Sequence, residues 1–377
     1  MSGTKEKSAA LRWAVYAAVI IVAAASFFTI RFLTSAGMFT SFREEITADC
    51  STIEAVPGPE DIVIDRERAL AFVSAVDRRK IAAGGPGSQA IRGGIYVIDL
   101  SEASDAWALR PVTALEPADF RPHGIDLYVS EEGQRFLFVV NHPSDGTHDV
   151  EIFEVLEGGL LEHRRTVSSE LFIHPNDVHA VGPDAFYLTN DHGSSSNFGR
   201  LLEDFFLADR GNLVYWEGDE GRVVADGFTY ANGVNSSPDG TKLYVAETLD
   251  MTLRIFTRDI ETGALEPFET VYLGTGIDNI DVQEDGRLLI GAHPSLTDFL
   301  AHANDPAELS PSQIVEMTPR PGGGGEARTL LLDKGDLLSG LATAAGYNGL
   351  MLASGVFEPK ILVCAQESAA AETGETE

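Results

Sequence analysis

A short, apolar, alternating strand follows an Asp/Gly-type turn six times along this 377-residue chain. The copies start at Asp65 (DRERALAFVSA), Ser130 (SEEGQRFLFVVNH), Gly182 (GPDAFYLTND), Ser237 (SPDGTKLYVAET), Gln283 (QEDGRLLIGAHP) and Gly346 (GYNGLMLASG). Each reads as strand, tight turn and second strand, with apolar residues alternating along the second. Their spacing, roughly 45–65 residues, suits a four-stranded propeller blade with its loops. No copy is followed by a long amphipathic helix, so a βαβ repeat fails. A sandwich would not need so many like hairpins at this interval. The expected fold is all-β: a six-bladed β-propeller.

The ends of the chain set its surroundings. Lys5, Lys7 and Arg12 precede an apolar run over 13–30, broken only by Ser26 and Thr29 and extendable through Phe32 and Leu33. That run is near the shortest length that spans a bilayer, and its leading basic side places the N-terminus in the cytoplasm. Residues 1–12 are expected to be a cytoplasmic basic stretch, and 13–35 a transmembrane anchor or uncleaved signal. Residues 36–365 would form the propeller on the periplasmic or extracellular side. Cleavage beside Ala23–Ala25 is the other reading. The small, acidic residues 366–377 are expected to be a disordered tail.

The chain carries 27 Lys and Arg against 58 Asp and Glu, a formal charge of −31. This excludes a nucleic-acid binder that works through a basic face. Two cysteines exclude a disulfide scaffold, a Cys-rich zinc site and an iron–sulfur cluster. Cys50 and Cys364 lie where first and last blades meet, and a bridge there would clasp the ring in an oxidising compartment. The alternative is two unrelated buried thiols.

A second pattern sits at the start of the strand before each turn, the innermost strand of a blade. In order along the chain these starts hold Glu60-Asp61, His123, Asn176-Asp177, Asn232 and Asp278-Asn279. Carboxylates and carboxamides from several blades thus converge on one axis. Buried together, the carboxylates would repel one another unless a cation compensates. Oxygen donors without cysteine select a hard cation of high coordination number, calcium ahead of zinc or magnesium. Each such residue alone could simply start a strand from a turn; it is the recurrence in phase that points to a metal. His123 and His142, on strands of one blade, could meet at the channel mouth as a proton-transferring pair. His192 and His293 end strands at the same level and are candidates for the mouth. There is no Gly-x-Ser-x-Gly elbow, no His-Glu-x-x-His and no P-loop. The run Gly322–Gly325 reads as an outer loop.

The stretches FRPHGI, VVNHP, HPNDVHAVGPDAFYLTNDH, YANGVNSSPDG and IDNIDV together resemble the paraoxonase/arylesterase family of calcium-dependent lactonases, from about Cys50 to Cys364. The resemblance implies two calcium ions in the central tunnel. The catalytic ion would be held by Glu60, Asn176, Asn232, Asp278 and Asn279. The structural ion would be held by Asp61, Asp177 and the backbone carbonyl of Ile125. It also implies a His123–His142 dyad, a hydrophobic N-terminus and a disulfide joining the first and last blades. Tyr230 falls where the family usually carries a phenylalanine in the pocket.

The implied activity is hydrolysis of lactones and aryl esters, with weak action on phosphotriesters. Asp278 or Glu60 are alternative bases. A membrane-anchored propeller whose calcium is structural and whose mouth only binds is the competing reading. Another is a sugar-lactone hydrolase, disfavoured by the two histidines. The segment after His192 departs from the family, and its Phe198, Leu201, Leu202, Phe205, Phe206 and Leu207 suggest a short lid helix or an ordinary rim helix.

Overall fold

A computed structural model describes residues 3–366 apart from 42, 47–48, 86 and 114–116. The expected acidic tail beyond Gln366, and the side chains of Lys5 and Lys7, lie outside the described residues.

Six antiparallel sheets are arranged as the blades of a propeller. Their innermost strands are Pro59–Asp65, Pro122–Val129, Pro175–Ala180, Ala231–Ser236, Gly276–Val282 and Leu341–Tyr347. The second strand of each blade is the apolar half of a repeated hairpin. Leu70–Ala75, Ala185–Asn190 and Leu288–His293 are buried at every residue, because neighbouring blades cover both of their faces. Outer strands such as Leu161–Ser168 alternate between part-buried and exposed, as an edge wetted on one side must. The core therefore lies between blades. Phe138 and Val140 of the second blade pack with Phe186, Leu188 and Trp216 of the third.

Ring closure uses both ends of the chain. The early strand Cys50–Glu54 pairs with Lys360–Ala365 as the outermost strand of the sixth blade, with Cys50 opposite Cys364. The two cysteines form a disulfide across 314 residues of sequence, tying the strand that leads into the first blade to the end of the last. Strand exchange and covalent bond thus hold the same seam. Sequence reading placed the bond but not the exchanged strand. Because the closed loop is long, converting both cysteines to serine is expected to cost roughly 2–5 kcal/mol. Denaturant titration of the wild type and the double variant checks this, and equal midpoints would refute it.

The N-terminal helix runs Gly3–Ser35, longer than the apolar run suggested. Its segment Leu11–Ser35 is long and apolar enough to cross a membrane, and most of its large side chains are exposed. The end nearest the propeller is docked. Phe28 stacks edge-on against Phe206 and Phe32 tilts against Phe205, both from a short helix Asn197–Phe206. Ser196 caps that helix by accepting from the Gly199 amide, and Leu207 ends it in a left-handed conformation. The segment after His192 is thus a helix on the rim, packed on the end of the N-terminal helix, with Phe198 and Leu201 left exposed.

Candidate active site

Each inner strand slips register against its partner at the same level. The shifts fall between Pro59 and Asp61, Pro122 and Ile125, Pro175 and Val178, Ala231 and Val234, Ile277 and Ile280, and Leu341 and Thr343. Such a bulge re-aims side chains, so two consecutive residues can serve the axis instead of one. The pairs are Glu60-Asp61, His123-Gly124, Asn176-Asp177, Asn232-Gly233, Asp278-Asn279 and Ala342-Thr343. First members of the first five pairs line an upper cavity of about 350 Å3. Asp61, Asp177, Asn279 and Thr343 line a gap of about 20 Å3 further down. Gly124 and Gly233 complete the second ring because nothing larger fits. A Cβ at Gly124 would lie 2.3 Å from Asp177 Oδ1 and 2.6 Å from its Cα, and one at Gly233 would lie 2.5 Å from the Asp278 carbonyl.

In the upper ring Glu60 accepts from Asn279 Nδ2 at 3.2 Å, pairs with Arg78 at 3.4 Å and lies 3.6 Å from His123 Nε2. Asp278 Oδ2 faces His293 Nε2 at 2.8 Å. Asn232 donates its amide to Thr248 at 3.0 Å. That leaves the carboxamide oxygens of Asn232 and Asn279 buried without a hydrogen-bond partner. In the lower gap, Asp61 accepts from the amides of Ile62 and Ile125, and Asp177 from those of Val178 and Val234, all at 2.8 Å. Asp61 and Asp177 therefore also staple one blade's inner strand to the next.

Burial raises the pKa of Glu60 and Asp278 and pushes Asp61 and Asp177 well up. Repulsion from Glu60 adds to the shift on Asp61, and repulsion from Asp61 adds to that on Asp177; the backbone amides only partly offset these effects. Buried carboxylates that disfavour their own charge, beside two carboxamide oxygens lacking a donor, form the oxygen-rich set a hard divalent cation takes. Asn279 lies between the levels, lining the lower gap while touching Glu60 of the upper ring.

The histidines form a row, not a pair. His123, on the first strand of its blade, places Nδ1 3.0 Å from His142 Nε2, just beyond the second strand. His142 Nδ1 in turn lies 2.9 Å from His148 Nδ1. Burial, reinforced by the Arg78 charge, pulls His123 down to about 3. Burial and the neighbouring imidazoles push His142 well below its ordinary value. Both shifts favour the neutral imidazole. His174, beside His142 and His148, bonds Asp191 at 2.6 Å; His192 shares the same Asp191 oxygen at 2.7 Å and holds Asp204 at 2.9 Å on its other face. Burial would lower His192, but these two carboxylates outweigh it and raise it to about 9. The bonded Asp204 fastens the rim helix to the site.

Tyr230 lines the upper cavity edge-on to His192, their rings 5.1 Å apart. Its φ of +66° is a left-handed conformation unusual for a bulky side chain. His293 lies on the same wall, ring to ring with Phe299 at 4.4 Å. Sequence reasoning missed Arg78, His148, His174, Asp191 as a shared acceptor, and Asp204. A signal existed for Arg78 and Asp191. Both stand just past the end of a blade's second strand, as His142 and His192 do, at the level where these strands reach the mouth. The far wall comes from Phe32 of the N-terminal helix, from Ala36 just past its end, and from the helix Leu296–Asn304.

A family model described as Arylesterase matches residues 62–365. Serum paraoxonase/arylesterase 2 of Rattus norvegicus is 32% identical over 345 residues, covering 89% of this chain and 94% of its own. The Gallus gallus serum paraoxonase/arylesterase 2 is 31% identical over 361 residues, 93% of this chain and 99% of its own. Serum paraoxonase/arylesterase 1 of Homo sapiens is 32% identical, covering 84% and 88% respectively. Among solved structures, a luciferin-regenerating enzyme superposes with a TM-score of 0.52 at 12% identity, over 85% of this chain and 96% of that one. A PQQ-bound aldose sugar dehydrogenase from Streptomyces coelicolor gives 0.51 at 9% identity, over 86% and 99%. At such identities these two structures speak to the propeller fold alone. With the family match spanning the propeller and relatives aligned along nearly their whole length, this chain belongs to the paraoxonase/arylesterase family.

Proposed function

We propose that this ester-bond hydrolase is a calcium-dependent lactonase and arylesterase, with a weaker action on phosphotriesters, anchored by its N-terminal helix with the propeller on the extracytoplasmic side. The observation that carries the reading is the pair of buried, partnerless carboxamide oxygens among raised-pKa carboxylates, that of Asn232 on the cavity His123 lines and that of Asn279 in the gap beneath it. A catalytic calcium would be held by Glu60, Asn176, Asn232, Asp278 and Asn279, and a second, structural one by Asp61, Asp177 and the Ile125 carbonyl. When bound, the upper ion supplies a Lewis acid for the ester or lactone carbonyl oxygen.

The protein's own groups do the rest. His123 Nε2 takes a proton from the attacking water, and His142 accepts a hydrogen bond from His123 Nδ1, stabilising the charge that develops. Tyr230 bounds the acyl side with a phenol that burial keeps protonated, well above its ordinary pKa. Phe32, Phe299 and Leu300 give the leaving group an apolar wall and exclude water.

The test is turnover of a panel of γ- and δ-lactones beside phenyl acetate by the full-length protein in detergent, with calcium and after chelation. Turnover that prefers lactones, falls at least ~100-fold on chelation and returns with calcium is expected. Undiminished hydrolysis in chelator would remove the metal from the mechanism. A folded, calcium-loaded protein without any turnover would leave the binding-propeller reading in its place.

A further inference from the structure

Charge is the difficulty for a base at this position. When His123 takes a proton it becomes an imidazolium in a half-buried cavity shared with the Arg78 guanidinium and, on the reading above, with a divalent cation. Like charges gathered there are costly. Unless the charge moves on, the step that activates water works against its own surroundings.

The histidine row offers a way out. Contacts of 3.0 and 2.9 Å link His123 Nδ1 to His142 Nε2 and His142 Nδ1 to His148 Nδ1. His148 closes the loop after His142, next to the exposed Thr147, and is itself only partly buried. Its Nε2 has no protein hydrogen-bond partner among the described residues. The charged and titratable groups facing it are His174, Arg200, Asp191, His123 and, from its own loop, Asp145, besides the bonded His142.

We infer that His148 is the solvent end of a proton relay that runs from His123 through His142. This rests on the assignment of His123 as base. On attack, His123 Nε2 takes the water proton, the His123 Nδ1 proton passes to His142 Nε2, and the His142 Nδ1 proton passes to His148 Nδ1. His148 then releases its Nε2 proton to water. One proton enters the row and one leaves, so every ring stays neutral. On collapse the flow reverses: the carbonyl carbon–ring oxygen bond breaks, a proton re-enters at His148, and His123 Nε2 delivers one to the departing oxygen. Each imidazole returns to its starting tautomer. The product carboxylic acid then ionises, so lactone and water give a hydroxycarboxylate and one proton. The depressed pKa of His148, about 4, fits a ring that passes protons without storing them.

His148→Gln tests this, because glutamine can accept from His142 Nδ1 but cannot take a proton on one atom while releasing it from another. In dilute buffer kcat is expected to fall roughly 10-fold, a fraction of what positioned proton transfer contributes, with KM unchanged and activity restored by added imidazole. Full kcat in dilute buffer overturns the relay. So does a loss that imidazole leaves untouched, since His148 would then serve only to position His142. The two readings separate cleanly. If His123→Gln is inactive while His148→Gln is unimpaired, only the relay falls. If His123→Gln is fully active, or the wild type hydrolyses no ester, the base assignment falls and the relay with it.

Discussion

Replacing His123 by glutamine leaves the propeller folded and lowers kcat for lactones by roughly 10²–10⁴, the contribution of a positioned base. The side chain is half-buried at the upper mouth, and glutamine is close to it in length, so little packing is lost. What disappears is a neutral nitrogen that can take a proton while its other nitrogen hands one to His142, 3.0 Å away. Cation binding should persist, since none of the proposed oxygen donors is touched. Steady-state kinetics with calcium titration calorimetry on the same preparation separates the two effects. Near-wild-type turnover would shift the base role to Asp278 or Glu60, which border the same cavity.

Gly124→Ala is expected to be strongly destabilising, because the methyl group is added at the closed axis of the propeller. Its Cβ would meet not a flexible tip but the Cα of Asp177 at 2.6 Å and the Asn176 carbonyl at 2.8 Å. To make room, the inner strands of the second and third blades must part where Asp61 and Asp177 bind neighbouring strands through the Ile125 and Val234 amides. Overpacking a close backbone approach costs about 1–3 kcal/mol, and a strained staple between buried polar groups adds to it. Loss of soluble protein, or a large fall in the denaturation midpoint together with weakened calcium binding, is expected. Gly322→Ala, at an exposed turn with nothing within 4 Å and no left-handed backbone, is the matched control for adding a methyl group. If Gly124→Ala and Gly322→Ala proved equally stable, the idea that the axis is closed to a Cβ would fail.

How much of this was legible depended on whether the signal was local. The hairpin turns are local, so the repeat and hence the blade count could be read from Asp65 to Gly346. Glu60, Asn176, Asn232 and Asp278 stand at the same point of successive repeats, and phase alone brought them to one axis. The bulge was not legible, because a register slip belongs to a pair of strands and not to one. Only with it does it become clear why two adjacent residues, Asp177 beside Asn176, line successive levels. His148 and His174 were passed over for a similar reason. Each lies outside the repeated position, His148 at the end of a loop and His174 just ahead of an inner strand, and the fold alone brings them together. The exchange of Cys50–Glu54 into the last blade pairs residues more than three hundred apart, which no local pattern announces.

That exchanged strand also sets an order of events during synthesis. Cys50–Glu54 emerges early, but its partner Lys360–Ala365 is made only 314 residues later. At ordinary elongation rates of about 5–20 residues per second the early strand waits ~15–60 s with an unpaired edge. The ring therefore cannot close cooperatively until that partner strand has been made, and its dominant contacts are of the long-range kind that fold slowly. A helix held in a bilayer throughout that interval would keep the waiting strand apart from other nascent chains, so the same N-terminal segment that forms one wall of the cavity would also protect the unfinished propeller from aggregating.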